Sequence, residues 1–281
     1  MLELTGFGSV LRGIGILYWV LAIGAVGLAI WKGKTWQRKT LWAGIAVMAF
    51  GFLPGKLVIE QARRDAFARE AWAHFKRLCD EKSGEKIYKT YTGVKSVRVV
   101  RALPPATEKD LYDQFWYGDP YSNATPHEKR GESAALKLAS PSDPIAYDQI
   151  GRGFDFVESV MPANDGKEQR NVKLYYPKGA RDHVEDPVER TVSQFAISWE
   201  DISTPEDRRY WVAGSRLRVI DLTDNSTIAE RVGYVIESGF GSKSGQRRPW
   251  LASRGQNTTC PALRNGTFED RWFILKVLKT D

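Results

Sequence analysis

Histidine and cysteine are scarce in this chain: three His and two Cys among 281 residues. His74, His127 and His183 stand far apart in a charged segment and two polar loops, with no HExxH or His-x-His pattern. Each reads as a solvated side chain, not a ligand or base. Cys79 and Cys260 belong to no CxxC or similar ligand motif, so no metal centre and no cofactor are expected. Internal repeats and low-complexity tracts are absent too. A basic helix, or a basic ladder interleaved with aromatics, is also missing, and nucleic acid is not an expected partner despite the net charge of +7. The basic balance fits topology and lipid contact instead.

What the chain has is apolar length near its start. Ile14–Trp31 is an 18-residue run without a charge. At about 1.5 Å per residue it reaches roughly 27 Å, close to the hydrocarbon thickness of a bilayer. Tyr18, Trp19 and Trp31 provide the amphipathic rings that favour membrane interfaces. The second run, Leu41–Leu53, holds 13 residues before Pro54, Gly55 and Lys56. Leu57, Val58 and Ile59 extend it if Lys56 snorkels to the headgroups, with Pro54 kinking the helix. Gly24, Ala25, Gly27 and Ala29 offer small residues for close helix approach. Together the two runs read as a transmembrane hairpin. The first lacks a basic head and a small-x-small cleavage site, so it reads as an anchor rather than a signal peptide.

Lys and Arg counts set the expected orientation. The connector carries Lys32, Lys34, Arg38 and Lys39, against Arg12 alone in the head. The connector is therefore expected in the cytoplasm, with both chain ends outside. Lys56, Arg63, Arg64 and Arg69 oppose this, but they are interleaved with Glu60, Asp65 and Glu70. If the remainder is periplasmic, Cys79 and Cys260 are expected to form a disulfide closing a very long loop.

The segment after the hairpin has apolar residues at helical spacing from Val58 to Leu78 and reads as a stalk helix. Charged residues at 27% and apolar ones at 42% mark a folded domain and not a disordered tail. Strands are expected at Lys86–Tyr91, Val94–Ala102, Phe154–Val160, Val172–Tyr176 and Thr191–Trp199. Residues 104–150 form a long irregular region with a short helix near Ser133–Ala139. Thr204-Pro205-Glu206-Asp207 has the cap, first-turn proline and acids of a helix start, with an end near Ala213-Gly214. Arg216–Leu222 and Thr227–Ile236 flank Thr223-Asp-Asn-Ser226 and read as a hairpin. In it Leu217 and Val219 face inward, and Ile228, Val232, Tyr234 and Ile236 share one face. Trp272–Leu278 reads as a last strand.

The stretch SWEDISTPEDRRYWVAGSRLRVIDLTDNSTIAERVGYVIE, with Cys260-Pro261 and the terminal WFILKVLK, resembles an uncharacterised family of proteobacterial membrane-anchored proteins with a C-terminal periplasmic domain. The likeness covers about half the chain. It implies a bacterial setting and carries no catalytic residues.

Short chemical motifs do not extend into full signatures. Gly239-Phe-Gly241-Ser-Lys-Ser-Gly245 follows a strand, yet it lacks GxxxxGK[ST] and leads into Gln-Arg-Arg-Pro-Trp. The same loop puts Lys243 where a nucleophile elbow needs serine, and Ser83-Gly-Glu-Lys86 matches SxxK without partner motifs. Glu200-Asp201 and Glu206-Asp207 fit capping better than acid–base catalysis. The best candidates for recognition are Tyr112, Phe115, Trp116, Tyr117 and Tyr121, joined by Arg247, Arg248 and Trp250, because aromatic and Arg side chains supply contact area.

The expected class is α+β: a two-helix transmembrane hairpin (1–59), a stalk helix (60–82) and a mainly antiparallel sheet domain (83–281) in the periplasm. The expected function is a bacterial inner-membrane protein that binds a protein partner without catalysis. An immunity protein against a periplasm-acting toxin is one specific form. The alternatives are an envelope-acting enzyme or a subunit of a membrane assembly.

Overall fold

A computed structural model of the chain describes residues 5–32, 35–101, 107–116, 138–139, 153–162, 169–177, 182–252, 257–262 and 269–280. The chain divides into two compact units, residues 1–68 and 69–281.

In the first unit, helix α1 covers Thr5–Lys32, and within it Gly15–Lys32 is long and apolar enough to cross a membrane. Helix α2 covers Trp36–Lys82, of which the part up to Ala68 belongs to this unit. Its part up to Phe52 and its part from Pro54 differ in direction by 40°. Proline removes a backbone donor and clashes with the preceding turn, which accounts for the bend there. One clear candidate span is therefore present among the described residues, where the sequence pattern led to the expectation of two. The Tyr18 hydroxyl donates to the Phe50 carbonyl, and the two rings meet edge-on at 5.8 Å. Gly24 and Gly27 face open space, so they make no close helix contact.

The second unit is α+β with a mainly antiparallel sheet. Among the described residues its strands are β1 Gly84–Ile87, β2 Ser96–Arg101, β3 Phe156–Pro162, β4 Gln169–Tyr175, β5 Val184–Pro187, β6 Phe195–Asp201, β7 Val212–Asp221, β8 Ser226–Ile236 and β9 Thr259–Cys260. Their order is β1-β8-β7-β6-β2-β3-β4-β5, with β9 on β8. Strand β2 runs parallel to both neighbours, β3 and β6, and the remaining pairs are antiparallel. A parallel pair needs a long crossover, and the sequence between Arg101 and Phe156 is long enough for one.

One sheet face holds the main core: Val97, Val99, Val157, Leu174, Ile197, Leu217 and Val219 among others. It is covered by helix α5, which follows the short helices α3 (Pro205–Arg209) and α4 (Pro249–Ala252) and spans Glu269–Val277. The expected final strand at Trp272–Leu278 is thus a helix ending at Val277. Its period explains why. Phe273, Ile274, Val277 and Leu278 are buried at helical spacing. On the outer side, Lys276 lies 5.3 Å over the Trp272 ring, four residues earlier.

Other corrections are local. Helix α3 ends at Arg209, because Trp211 takes a positive φ of 57° and β7 begins at Val212. The β7–β8 hairpin forms as expected, yet the register shifts between Val219↔Ala229 and Ile220↔Thr227. That bulge turns Ile228 into the main core with Ala229, Leu217 and Val219, away from the face of Val232 and Tyr234. Strand β1 stops at Ile87, and Tyr91 makes only an isolated bridge to Leu278. Strand β6 starts at Phe195, because the Val192 and Ser193 amides donate to the buried Glu158 carboxylate at 2.9–3.1 Å. Strands β5 and β9 carry no period of their own and went unpredicted. The helix expected near Ser133–Ala139 lies outside the described residues except for Leu138 and Ala139.

Candidate functional site

A second, smaller core sits against Ala213 of β7 and Val235 of β8. It comprises Leu111, Trp116, Ala213, Val235 and Trp250, with Tyr112 and Trp211 packed on it. Three of the sequence-predicted recognition residues therefore meet here: Tyr112, Trp116 and Trp250. Trp250 is 0% exposed and Trp116 8%, so both are beneath the surface. Tyr117 and Tyr121 lie outside the described residues.

Helix α3 orders this corner. Thr204 and Asp207 form a reciprocal capping box, with Asp207 N donating to Thr204 Oγ1 at 3.1 Å and Thr204 N donating to Asp207 Oδ2 at 2.7 Å. The other carboxylate oxygen, Oδ1, lies 2.6 Å from His74 Nε2. Arg77 Nη2 is 3.0 Å from His74 Nδ1. A guanidinium only donates, so Nδ1 accepts and the ring proton sits on Nε2, facing Asp207. His74 also rests on the Tyr210 ring, with centroids 4.9 Å apart. The expectation of a solvated His74 is therefore corrected: it is buried, on the inward stripe of α2 with Ala71, Phe75 and Leu78. His183 is half-buried beside Tyr176, with centroids 6.1 Å apart, and is not freely solvated either. His127 lies outside the described residues.

Next along α3, Arg208 is buried and paired with Asp201 at 2.5 Å, and its guanidinium lies 5.2 Å over the Trp250 ring. Burial raises the Tyr234 hydroxyl above its ordinary value, and the Asp207 charge adds to this while Arg216 opposes it.

The glycine loop after β8 closes on itself. Glu237 is fully buried and accepts from Gly239 N at 2.9 Å and Gly241 N at 2.5 Å. Arg247 pairs with the same carboxylate. The amides that a phosphate would use are thus filled by the chain's own carboxylate. A side chain at Gly241, where φ is +78°, would meet the Trp211 ring at 2.3 Å. The SxxK match also dissolves: Ser83 Oγ donates to the Cys79 carbonyl and Lys86 sits in β1.

The surface over this corner is a pinned loop. The Trp250 indole donates to Asp113 O at 2.7 Å. Gln114 Nε2 donates to the α3 carbonyls of Arg208 and Arg209 at 2.8 and 2.9 Å. Phe115 N donates to Asp113 Oδ1 at 2.9 Å. Between these anchors the Phe115 ring points outward, 56% exposed. Lys243 Nζ stands 5.2 Å over the Tyr112 ring, and Arg248 pairs with Glu108 at 2.8 Å on the exposed side. Thr107 holds the Asp110 carboxyl below its ordinary value, through its backbone N–H and then its hydroxyl.

Cys79 and Cys260 are joined in a disulfide across 181 residues of sequence. Among the described residues no group of three or more His, Cys, Asp or Glu side chains could hold a metal ion. Sequence reasoning missed His74, Asp207, Arg208 and Gln114 as members of this corner. The inward spacing of Ala71, His74, Phe75 and Leu78 was the available signal for His74. Compared with family models, curated proteins and solved structures, the chain matches none.

Proposed function

We propose that this chain is a membrane-anchored binding protein of the bacterial inner membrane, without catalytic activity, whose second unit lies in the periplasm. The observation that carries the reading is Phe115. An apolar ring held outward by bonds on both sides of it offers contact area at low entropic cost. Tyr112, three residues earlier in the same segment, carries Lys243 over its ring, an aromatic and basic pairing suited to a protein partner.

The membrane part of the reading rests on α1 together with the second apolar run. Leu41–Ile59 serves as the second span, with Lys56 reaching the headgroups and Lys32 to Lys39 on the cytoplasmic side. Trp31 and Trp36 are largely exposed near the connector, as interface anchors are. The disulfide fits an oxidising compartment. The resemblance to proteobacterial membrane-anchored proteins belongs to the same reading, and neutralising a periplasm-acting toxin is its most specific form.

A photo-crosslinking amino acid in place of Phe115, in the full chain in cells, tests the binding role. The reading expects one discrete adduct that is lost when the crosslinker is moved to Lys89. Equal smears from both positions would count against it.

A further inference from the structure

Helix α3 holds five residues, and Arg208 N reaches back to Thr204 O at 3.1 Å to close its turn. So short a helix gains too few backbone bonds to offset the cost of nucleation. Its far end adds a further cost. Trp211, directly after the capping Tyr210, holds a left-handed φ of 57°, which a bulky side chain rarely adopts. The formed state of α3 therefore depends on what grips it from outside.

Two grips come from different elements. At the start of α3, Asp207 is held by His74, which stands on the part of α2 within the second unit. The Tyr210 ring packs on the same imidazole. At the other end, the last carbonyls of a helix lack an intrahelical partner, and Gln114 Nε2 donates to those of Arg208 and Arg209. Gln114 lies between Phe115 and Asp113, whose carbonyl is tied to Trp250, and the Arg208 guanidinium lies over that indole. His74 and Gln114 thus meet α3 at different atoms, and α3 is what they share. Two groups that favour the formed state of one two-state element are coupled through it, and the coupling is reciprocal.

We infer that α3 is a coupling element that relays the seating of α2 to the Phe115 loop, with His74 and Gln114 as its positioning residues. Loosening either end frays α3 and loosens the other. The coupling stands on the geometry of α3; its use in partner capture rests on the reading of Phe115 as the contact residue.

The test compares the full chain in detergent with Gln114→Ala, His74→Phe and His74→Gln, whose side-chain amide can still donate to Asp207. Hydrogen exchange over residues 111–116 and 204–210 is read by mass spectrometry. His74→Phe is expected to speed exchange in both segments by roughly fivefold or more, the scale of one lost hydrogen bond. His74→Gln should restore most of the native protection. Gln114→Ala should speed exchange at 204–210 by a similar factor and shift the His74 ring resonances, which are readable in a chain with three histidines. It decides alone if His74→Phe does not fold. Arg170→Ala, which breaks the Arg170–Glu185 pair between β4 and β5, should leave both segments at native rates. Exchange that quickens only at the substituted end, or equally in Arg170→Ala, overturns the coupling. A photo-crosslinker at position 115 separates this from the binding reading. Its adduct should fall several-fold in yield with His74→Phe, and an undiminished adduct overturns the relay. No adduct in the native background removes the binding reading, while the exchange rates still decide the coupling.

Discussion

His74 Nε2 and Asp207 Oδ1 lie 2.6 Å apart, joining positions 133 residues apart in sequence. Both side chains are buried. The same carboxylate caps α3 through Oδ2, so Asp207 serves two elements at once. His74→Ala is expected to cost about 2–3 kcal/mol, as for a lost buried bond to a charged group. Asp207→Ala should cost about 1 kcal/mol more, because the cap goes with it. Urea unfolding of the full chain in detergent measures both. Equal losses would show that the cap contributes nothing.

The Cys79–Cys260 bond closes a loop of 181 residues, a large constraint on the unfolded chain. Reduction, or Cys79→Ser with Cys260→Ser, should lower stability by about 2–5 kcal/mol. Gel mobility with and without reductant tests the bond itself. Identical mobility and identical melting would count against it.

Acid sensitivity follows from three carboxylates. Burial alone would raise Asp221, but bonds from Thr223, Tyr91 and Gln194 together hold it below the ordinary 3.8. Ser226 lowers Asp224 and Thr107 lowers Asp110. A carboxyl depressed in the folded state adds stability above its unfolded value and loses it as pH falls through the folded one. Stability should therefore be level from neutral pH to about pH 5 and fall below about pH 4. Asp221→Asn should flatten part of that fall, and a profile unchanged by the substitution would remove Asp221 from the account. At the alkaline end, Tyr91, Tyr175 and Tyr234 are raised, so their contribution persists up to about pH 10 and is lost above it.

The aromatic residues of the candidate site should separate into two kinds. Phe115→Ala should leave melting within about 0.5 kcal/mol of the native chain, as for an exposed site, while weakening partner capture. Trp116→Ala and Trp250→Ala should cost about 3–5 kcal/mol, because each empties a buried ring site. Capture unchanged by Phe115→Ala, with the crosslinker at 115 silent, would remove the loop as a docking point.

The hairpin of β7 and β8 was legible because its turn residues and alternation are local. The start of α3 was legible for the same reason, since Thr204, Pro205 and Asp207 make a cap within four residues. The terminal helix was not. WFILKV is rich in β-branched and aromatic residues, and only packing on the sheet reveals the spacing of Phe273, Ile274 and Val277. The parallel placement of β2 depends on partners far away in sequence, which no local pattern encodes. At the site, aromatic composition drew attention to the right segments. It could not separate the exposed Phe115 from the buried Trp116 beside it, because that depends on Trp250 and Gln114 pinning the loop.

Alkaline phosphatase fused after Asp281 tests the central claim most directly, since the enzyme is active only outside the cytoplasm. The account predicts an active fusion that sediments with the membrane and stays there after a carbonate wash. An inactive fusion, or activity released as soluble protein, would contradict it.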